Sequence, residues 1–251
     1  MNYFWNRMPP VTKNLLIINL IVWFAMILMP SSFDSAVTRA CALHYFLSPD
    51  FKAWQLLTYM FMHSTQSITH ILFNMFGVVM FGSILEQVFG SKRYLFFYIT
   101  VGIGAALVQE SVYAIWIHNI AGNMPEGTTL SMVADEGPRL LNQGMNWRDP
   151  VLGQLNLLIN TPTVGASGAL YGVLLGFAML FPNMPLYLFF IPIPIKAKWM
   201  VLGYGVLELF LGVTGMQTGV AHFAHLGGMI VALILILYWR KKGEINRGPL
   251  Y

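Results

Sequence analysis

The sequence predicts an all-α polytopic membrane protein, a bundle of six transmembrane helices with both termini in the cytoplasm. Three observations predict it. Of 251 residues, 57% are hydrophobic and only 10% charged, against roughly 25% charged in soluble domains. Mean hydropathy is +0.63. Six stretches, near 14–30, 68–86, 94–117, 166–182, 198–215 and 221–239, approach the roughly 20 mostly apolar residues that cross a bilayer. Six spans put both ends on one side. That side holds Arg7, Lys13, Lys92, Arg93, Lys196, Lys198, Arg240, Lys241, Lys242 and Arg247. The other side holds Arg39, Lys52, Arg139 and Arg148. The excess of basic residues marks the cytoplasmic face.

The elements follow in order. The first stretch has no evident small-x-small cleavage site and is expected to remain as a signal anchor, with no soluble domain before it. The outer loop 31–67 carries Phe51, Trp54, Leu56 and Leu57, enough apolar surface to lie in the membrane interface. The second outer loop, 118–164, is polar at first and then has short apolar stretches around 138–145 and 151–160; it reads as a loosely ordered loop with amphipathic turns. The fourth stretch repeats glycine at Gly168, Gly172 and Gly176, and the sixth has Gly227 and Gly228. Smooth surfaces of this kind let backbones approach, so these two helices are expected to be neighbours. Gly203, Gly205 and Gly212 make the fifth compatible with bending. The chain reads as one membrane domain, 1–251, with a core of about 50–240 and a short tail, 240–251. The basic residues are dispersed around apolar runs, which argues for membrane topology and against nucleic acid. The single cysteine, Cys41, forms no internal disulfide.

A polar side chain inside a membrane stretch is a functional candidate by default. His70 and Asn74 lie one helical turn apart and share a face. Ser167 opens the fourth stretch, and His225 lies about one turn into the sixth. All four fall at similar depth near the outer surface. A serine hydroxyl needs a base to take its proton, and His225 can serve and then protonate a leaving amine. Asn74, a His70 ring N–H and the Ser167 backbone N–H are the donors available to a tetrahedral oxyanion. Tyr171, four residues after Ser167, can pack on the imidazole. No acidic third member is evident. Glu86 and Glu110 sit at span ends and Glu208 lies within the fifth stretch, but nothing in the sequence places one beside His225, so the pattern reads as a Ser–His dyad. Bland roles exist for each residue: Ser167 bonding its own backbone, Asn74 bridging helices, His63 in the interface and His222 in packing. His222 and His225 form His-x-x-His, but two histidines do not fill a zinc sphere, and no metal is expected.

These residues together resemble the rhomboid family of intramembrane serine proteases. The segments that carry the resemblance are Gly165-Ala-Ser-Gly168, Tyr171, His70-x-x-x-Asn74 and Ala224-His225-Leu-Gly-Gly228, with Glu86 and Gly90-Ser91 at the end of the second span. The resemblance implies Ser167 as nucleophile and His225 as general base and acid. It implies His70, Asn74 and the Ser167 backbone N–H as the oxyanion hole, with Tyr171, Gly165 and Gly168 in support. It also implies a six-helix bundle that cuts peptide bonds in or beside transmembrane segments, near the outer face. A small residue before the cut and substrate access between the second and fifth helices come from the same resemblance. The expected partners are transmembrane protein substrates and the lipid bilayer, with no cofactor, metal or nucleic acid. The expected location is a bacterial inner (plasma) membrane. The alternatives are a catalytically silent, client-binding relative and a small transporter. Two departures stand out. Gln55 follows Trp54 where the family often has arginine, and the 118–164 loop is longer than in a compact member.

Overall fold

A computed structural model describes residues 2–187, 193–214 and 221–245. Gly215, which ends the fifth predicted stretch, and Arg247, used in the charge count, lie outside the described residues. The chain runs through α1 (Asn2–Arg7), α2 (Pro10–Leu28), α3 (Ser31–Cys41) and α4 (Gln55–Thr58), which ends in a 3-10 turn, Tyr59–Phe61. Next come α5 (Ile68–Gly77), a π-helical turn (Val78–Gly82) and α6 (Ser83–Phe89), which together form one continuous rod. Then follow α7 (Ser91–Ala121), α8 (Leu130–Asn142), α9 (Pro150–Asn160) and α10 (Ser167–Leu180). A two-stranded antiparallel hairpin, β1 (Pro185–Tyr187) with β2 (Pro194–Lys196), leads to α11 (Ala197–Thr214) and α12 (His222–Lys242).

Among the described residues, five helices are long and apolar enough to cross a bilayer: α2, the α5–α6 rod, α7, α11 and α12. The predicted fourth span is shorter than expected. Helix α10 has 14 residues, about 21 Å at the rise of an α-helix, less than the roughly 30 Å hydrocarbon core. Ten of its residues are buried, so it runs through the middle of the bundle, where neighbours rather than its own length satisfy the membrane. Its packing is backbone on backbone. A Cβ built on Gly228 of α12 would lie 1.9 Å from the Gly168 carbonyl oxygen, and one on Gly172 would lie 2.8 Å from the Gly228 oxygen. No side chain larger than hydrogen fits between α10 and α12 there.

The rod is tied to α2 by one carboxylate. Glu86 accepts from the Val11 N–H at 2.9 Å, the Thr12 N–H at 2.7 Å and the Thr12 hydroxyl at 2.8 Å, and from the Ser91 hydroxyl at 2.7 Å. The first amides of a helix lack intrahelical acceptors, and a borrowed carboxylate satisfies them while favouring the dipole. Helix α11 is held more loosely. Only 22% of it is buried, the least of the five spanning helices, and Val206, Phe210 and Val213 face outward.

The outer segments are more ordered than the sequence suggests. In 118–164, α8 is capped by the Thr129 hydroxyl and α9 by Asp149. Val133, Leu152, Leu155 and Ile159 pack with Tyr45 and Ile117 into a second small core. Asn160 donates to the Val133 carbonyl at 3.0 Å and to Asn156 at 2.9 Å, and Asn156 donates to Asn146 at 2.8 Å. The loose-loop expectation fails because Leu130, Val133 and Ala134 of α8, outside the 138–145 stretch, meet the apolar residues of α9 and the end of α7, a pairing that no local pattern shows. In 31–67, Gln55 is fully buried and makes four hydrogen bonds. Its carbonyl accepts from His44 and Lys52 at 3.3 and 3.1 Å, and its amide donates to Arg39 and Asp50 at 3.0 and 2.8 Å. A neutral amide thus braces the loop. Two bonds between Leu43 and Thr163, at 3.0 and 2.8 Å, join both outer segments just before α10 begins.

Candidate active site

Ser167 is the first residue of α10, with Ala166 at the cap. The chain reaches it through Gly165, at φ +131°, whose N–H donates to the Tyr59 carbonyl at 3.0 Å. An L side chain rarely adopts that φ, so glycine is required by the turn. Space requires it as well, since a Cβ there would lie 2.8 Å from His70 Nε2 and 3.5 Å from Ser167 Oγ. His225, near the start of α12, has its Nε2 2.7 Å from Ser167 Oγ across 58 residues of sequence. Both Gly168 and Gly228 lie within three residues of this pair, so the close backbone approach sets its spacing.

Tyr171, one turn below Ser167, stacks on the His225 ring with centroids 4.1 Å apart and planes 6° apart. Its hydroxyl donates to Glu208 Oε1 at 2.5 Å. The other carboxylate oxygen, Oε2, lies 2.5 Å from His222 Nδ1. His225 Nδ1 lies 3.0 Å from Oε1, off the ring N–H axis, so the two are in ion-pair contact without hydrogen-bond alignment. An acid therefore does stand beside His225, against the sequence expectation of none. The sequence did contain one signal for it, a carboxylate inside an apolar stretch. What it lacked was the direction in which α11 turns that residue.

The His70 and His63 rings meet edge-on, with centroids 5.1 Å apart. The Ser64 N–H points at His70 Nδ1 at 3.4 Å. That long bond makes Nδ1 the acceptor and leaves the proton on Nε2, the nitrogen beside Gly165 and Ser167. Ser64 is itself held, its carbonyl accepting from Trp23 Nε1 at 3.1 Å. Asn74 is buried and spends one amide hydrogen on the His70 carbonyl of its own helix at 2.8 Å, leaving the other hydrogen free to donate elsewhere. His63 is not interfacial, as the sequence suggested, but only 1% exposed. Neither of its ring nitrogens has a hydrogen-bond partner among the described residues. Burial, and secondarily its neighbour His70, pushes its pKa down to about 3.

Fold and site together define a class: a multi-pass helical membrane protein with a serine hydroxyl held against an imidazole inside the bundle. The family model described as Rhomboid domain matches residues 50–122 and 141–242. The chain belongs to the rhomboid family. It is 32% identical over 181 residues to the RHOMBOID-like protein 12, mitochondrial, of Arabidopsis thaliana, covering 71% of this chain and 44% of that protein. It is 27% identical over 242 residues to the Rhomboid protease AarA of Providencia stuartii, covering 91% of this chain and 72% of that protein. It is 25% identical over 184 residues to the Rhomboid protein 1, mitochondrial, of Saccharomyces cerevisiae, covering 73% and 42%. The match therefore spans less than half the length of the Arabidopsis and yeast relatives.

Proposed function

We propose that this chain is an intramembrane serine endopeptidase in which Ser167 attacks and His225 is its base. The observation that carries the reading is the 2.7 Å contact between Ser167 Oγ and His225 Nε2, a nucleophile and base within hydrogen-bond reach. The hydroxyl proton passes to Nε2 as Oγ bonds to the scissile carbonyl carbon, and the same proton then goes to the leaving amine. A water repeats the sequence on the acyl-enzyme, with the base again taking the proton. Negative charge on the carbonyl oxygen meets the His70 Nε2–H and the backbone N–H of Ser167, which as a first-turn amide has no intrahelical acceptor. Asn74 has one amide hydrogen left to add. Gly165 and Gly168 keep the approach to Oγ clear, and Tyr171 holds the His225 ring from below.

The substrate class is a transmembrane segment of another membrane protein. Its backbone bonds are satisfied within its own helix, so it must unwind locally before a carbonyl reaches Ser167. The chain acts as one membrane domain of six helices with cytoplasmic termini, α10 being the short central one. The site then opens toward the outer face, where water reaches it. The relative from Providencia, matched over most of both chains, supports a bacterial plasma membrane. Recovery of the native protein in a mitochondrial fraction would overturn that location. The function is tested by Ser167→Ala in the full chain. The variant keeps its thermal stability and loses all cleavage of a membrane-spanning test substrate that the wild type cuts. Turnover retained in the variant removes the assignment.

A further inference from the structure

On the footing of the serine protease reading, we propose that Glu208 is a positioning residue that completes a Ser167–His225–Glu208 relay, delivered to the site by α11. Four observations carry it. Glu208 is only 6% exposed on a helix whose other large side chains mostly face outward, and a buried carboxylate is costly unless paired. Its two oxygens are held from two other helices, Oε1 by the Tyr171 hydroxyl of α10 and Oε2 by His222 of α12, each at 2.5 Å. Oε1 also lies 3.0 Å from His225 Nδ1. Finally, that Nδ1 has no hydrogen-bonded acceptor among the described residues.

The chemistry follows from the tautomer. To take the Ser167 proton, His225 must carry its own hydrogen on Nδ1 and a lone pair on Nε2. The nitrogen that carries this hydrogen then lies 3.0 Å from the carboxylate oxygen Oε1. When the hydroxyl proton arrives at Nε2, the ring becomes an imidazolium whose positive charge lies against an anion already in place. No further proton moves, and Glu208 stays ionised throughout, as the acid does in a serine–histidine–acid triad. The present contact is off the N–H axis. Catalytic hydrogen bonds are often misaligned before substrate binds and tighten afterwards. A small turn of the ring brings the N–H onto Oε1, and Tyr171 holds both partners, stacked on the His225 ring and hydrogen-bonded to Oε1. The relay is complete only while α11 is seated against α10 and α12, so the loosely held helix that carries Glu208 also sets whether the base is competent.

The same carboxylate could act only as a fastening for α11, and the test separates the two roles. The full chain in detergent micelles is compared as wild type, Glu208→Gln and Glu208→Asp. The readouts are the rate of fluorophosphonate labelling at Ser167, kcat and KM on a membrane-spanning substrate, and Tm. The amide keeps the shape and removes the charge. It is expected to slow labelling and kcat by about 10²-fold or more, with KM changed by less than about threefold. The aspartate keeps the charge one methylene further away and is expected to recover at least about fivefold over the glutamine. Labelling of Glu208→Gln within about threefold of wild type overturns the role while leaving the serine protease reading intact. Equal losses in both variants that follow a fall in Tm also overturn it, in favour of a fastening alone. Should the glutamine variant not fold, the aspartate decides: slower labelling at an unchanged Tm supports the relay, and wild-type labelling overturns it. A wild type that takes no label at Ser167 removes the protease reading and this role with it.

Discussion

Replacing Gly228 by alanine adds one methyl group at the tightest point of the bundle, and the consequence can be worked from the distances. The new Cβ would lie 1.9 Å from the Gly168 carbonyl oxygen, where ordinary contact begins at 3.4 Å, a shortfall of about 1.5 Å that this crowded seam must absorb. The atom struck is backbone, so no rotamer change relieves it, and α10 and α12 must move apart. Ser167 stands one residue from Gly168 and His225 three from Gly228, so their 2.7 Å contact opens toward about 4 Å, beyond hydrogen-bond reach. Overpacking of this kind costs about 1–3 kcal/mol of stability, while a misplacement near 1 Å at reacting groups costs about 10² in rate. Gly228→Ala is therefore expected to keep its fold with a lowered Tm and to lose at least about 10²-fold in fluorophosphonate labelling of Ser167. Gly203 of α11 supplies the control, because a Cβ there meets nothing within 4 Å. Gly203→Ala should gain up to about 1 kcal/mol from helix propensity and label as the wild type does. If Gly228→Ala labels at the wild-type rate, the site does not depend on this backbone contact and the reasoning fails.

Two further outcomes are expected in the outer segments. Gln55→Ala strands two N–H groups and two carbonyls in the 39–55 loop. At about 1–3 kcal/mol for a fully buried unmet group, and with water reaching some of them, the loss is about 2–4 kcal/mol. That is a fall of about 5–15 °C in Tm by differential scanning fluorimetry, and a change below about 1 °C refutes the bracing role. His63, in the loop before α5, has a pKa pushed down to about 3 from 6.5 by burial and then by His70. A depressed histidine favours folding while neutral. Its contribution is complete above pH 6.5 and is lost as pH falls toward 3, at up to about 1.4 kcal/mol per unit. His44, also lowered by burial, adds in the same direction. Thermal scans from pH 7 to 4 should show a shallower acid loss in His63→Phe than in the wild type, and identical slopes refute the assignment.

How much was legible follows from the range of each signal. Composition and run length are local quantities, and they identified five spanning helices within a few residues: α2, the α5–α6 rod, α7, α11 and α12. Residue chemistry singled out Ser167, His225, His70, Asn74 and Tyr171 as candidates, because a bilayer selects strongly against idle polar groups. The glycine repeats pointed to α10 and α12 as neighbours for a similar reason, since only small residues permit backbone contact.

The rest depended on contacts between residues distant in sequence. The ordered pairing of α8 with α9 comes from partners in different helices, and Gln55 braces its loop by reaching back to Arg39 and His44 as well as to nearby Asp50 and Lys52. The shortness of α10 is tolerable only because other helices surround it. Glu208 is the clearest case. Its sequence position says that a carboxylate lies in an apolar helix and nothing about which way it turns. The rotation of α11 against α10 and α12 brings it to Tyr171, His222 and His225. Helix rotation is decided by the summed packing of every side chain on every neighbouring face, a quantity held by no single stretch of chain. The sequence alone therefore named the candidate site residues and the membrane that surrounds them, and the tertiary structure decided which acid stands beside His225.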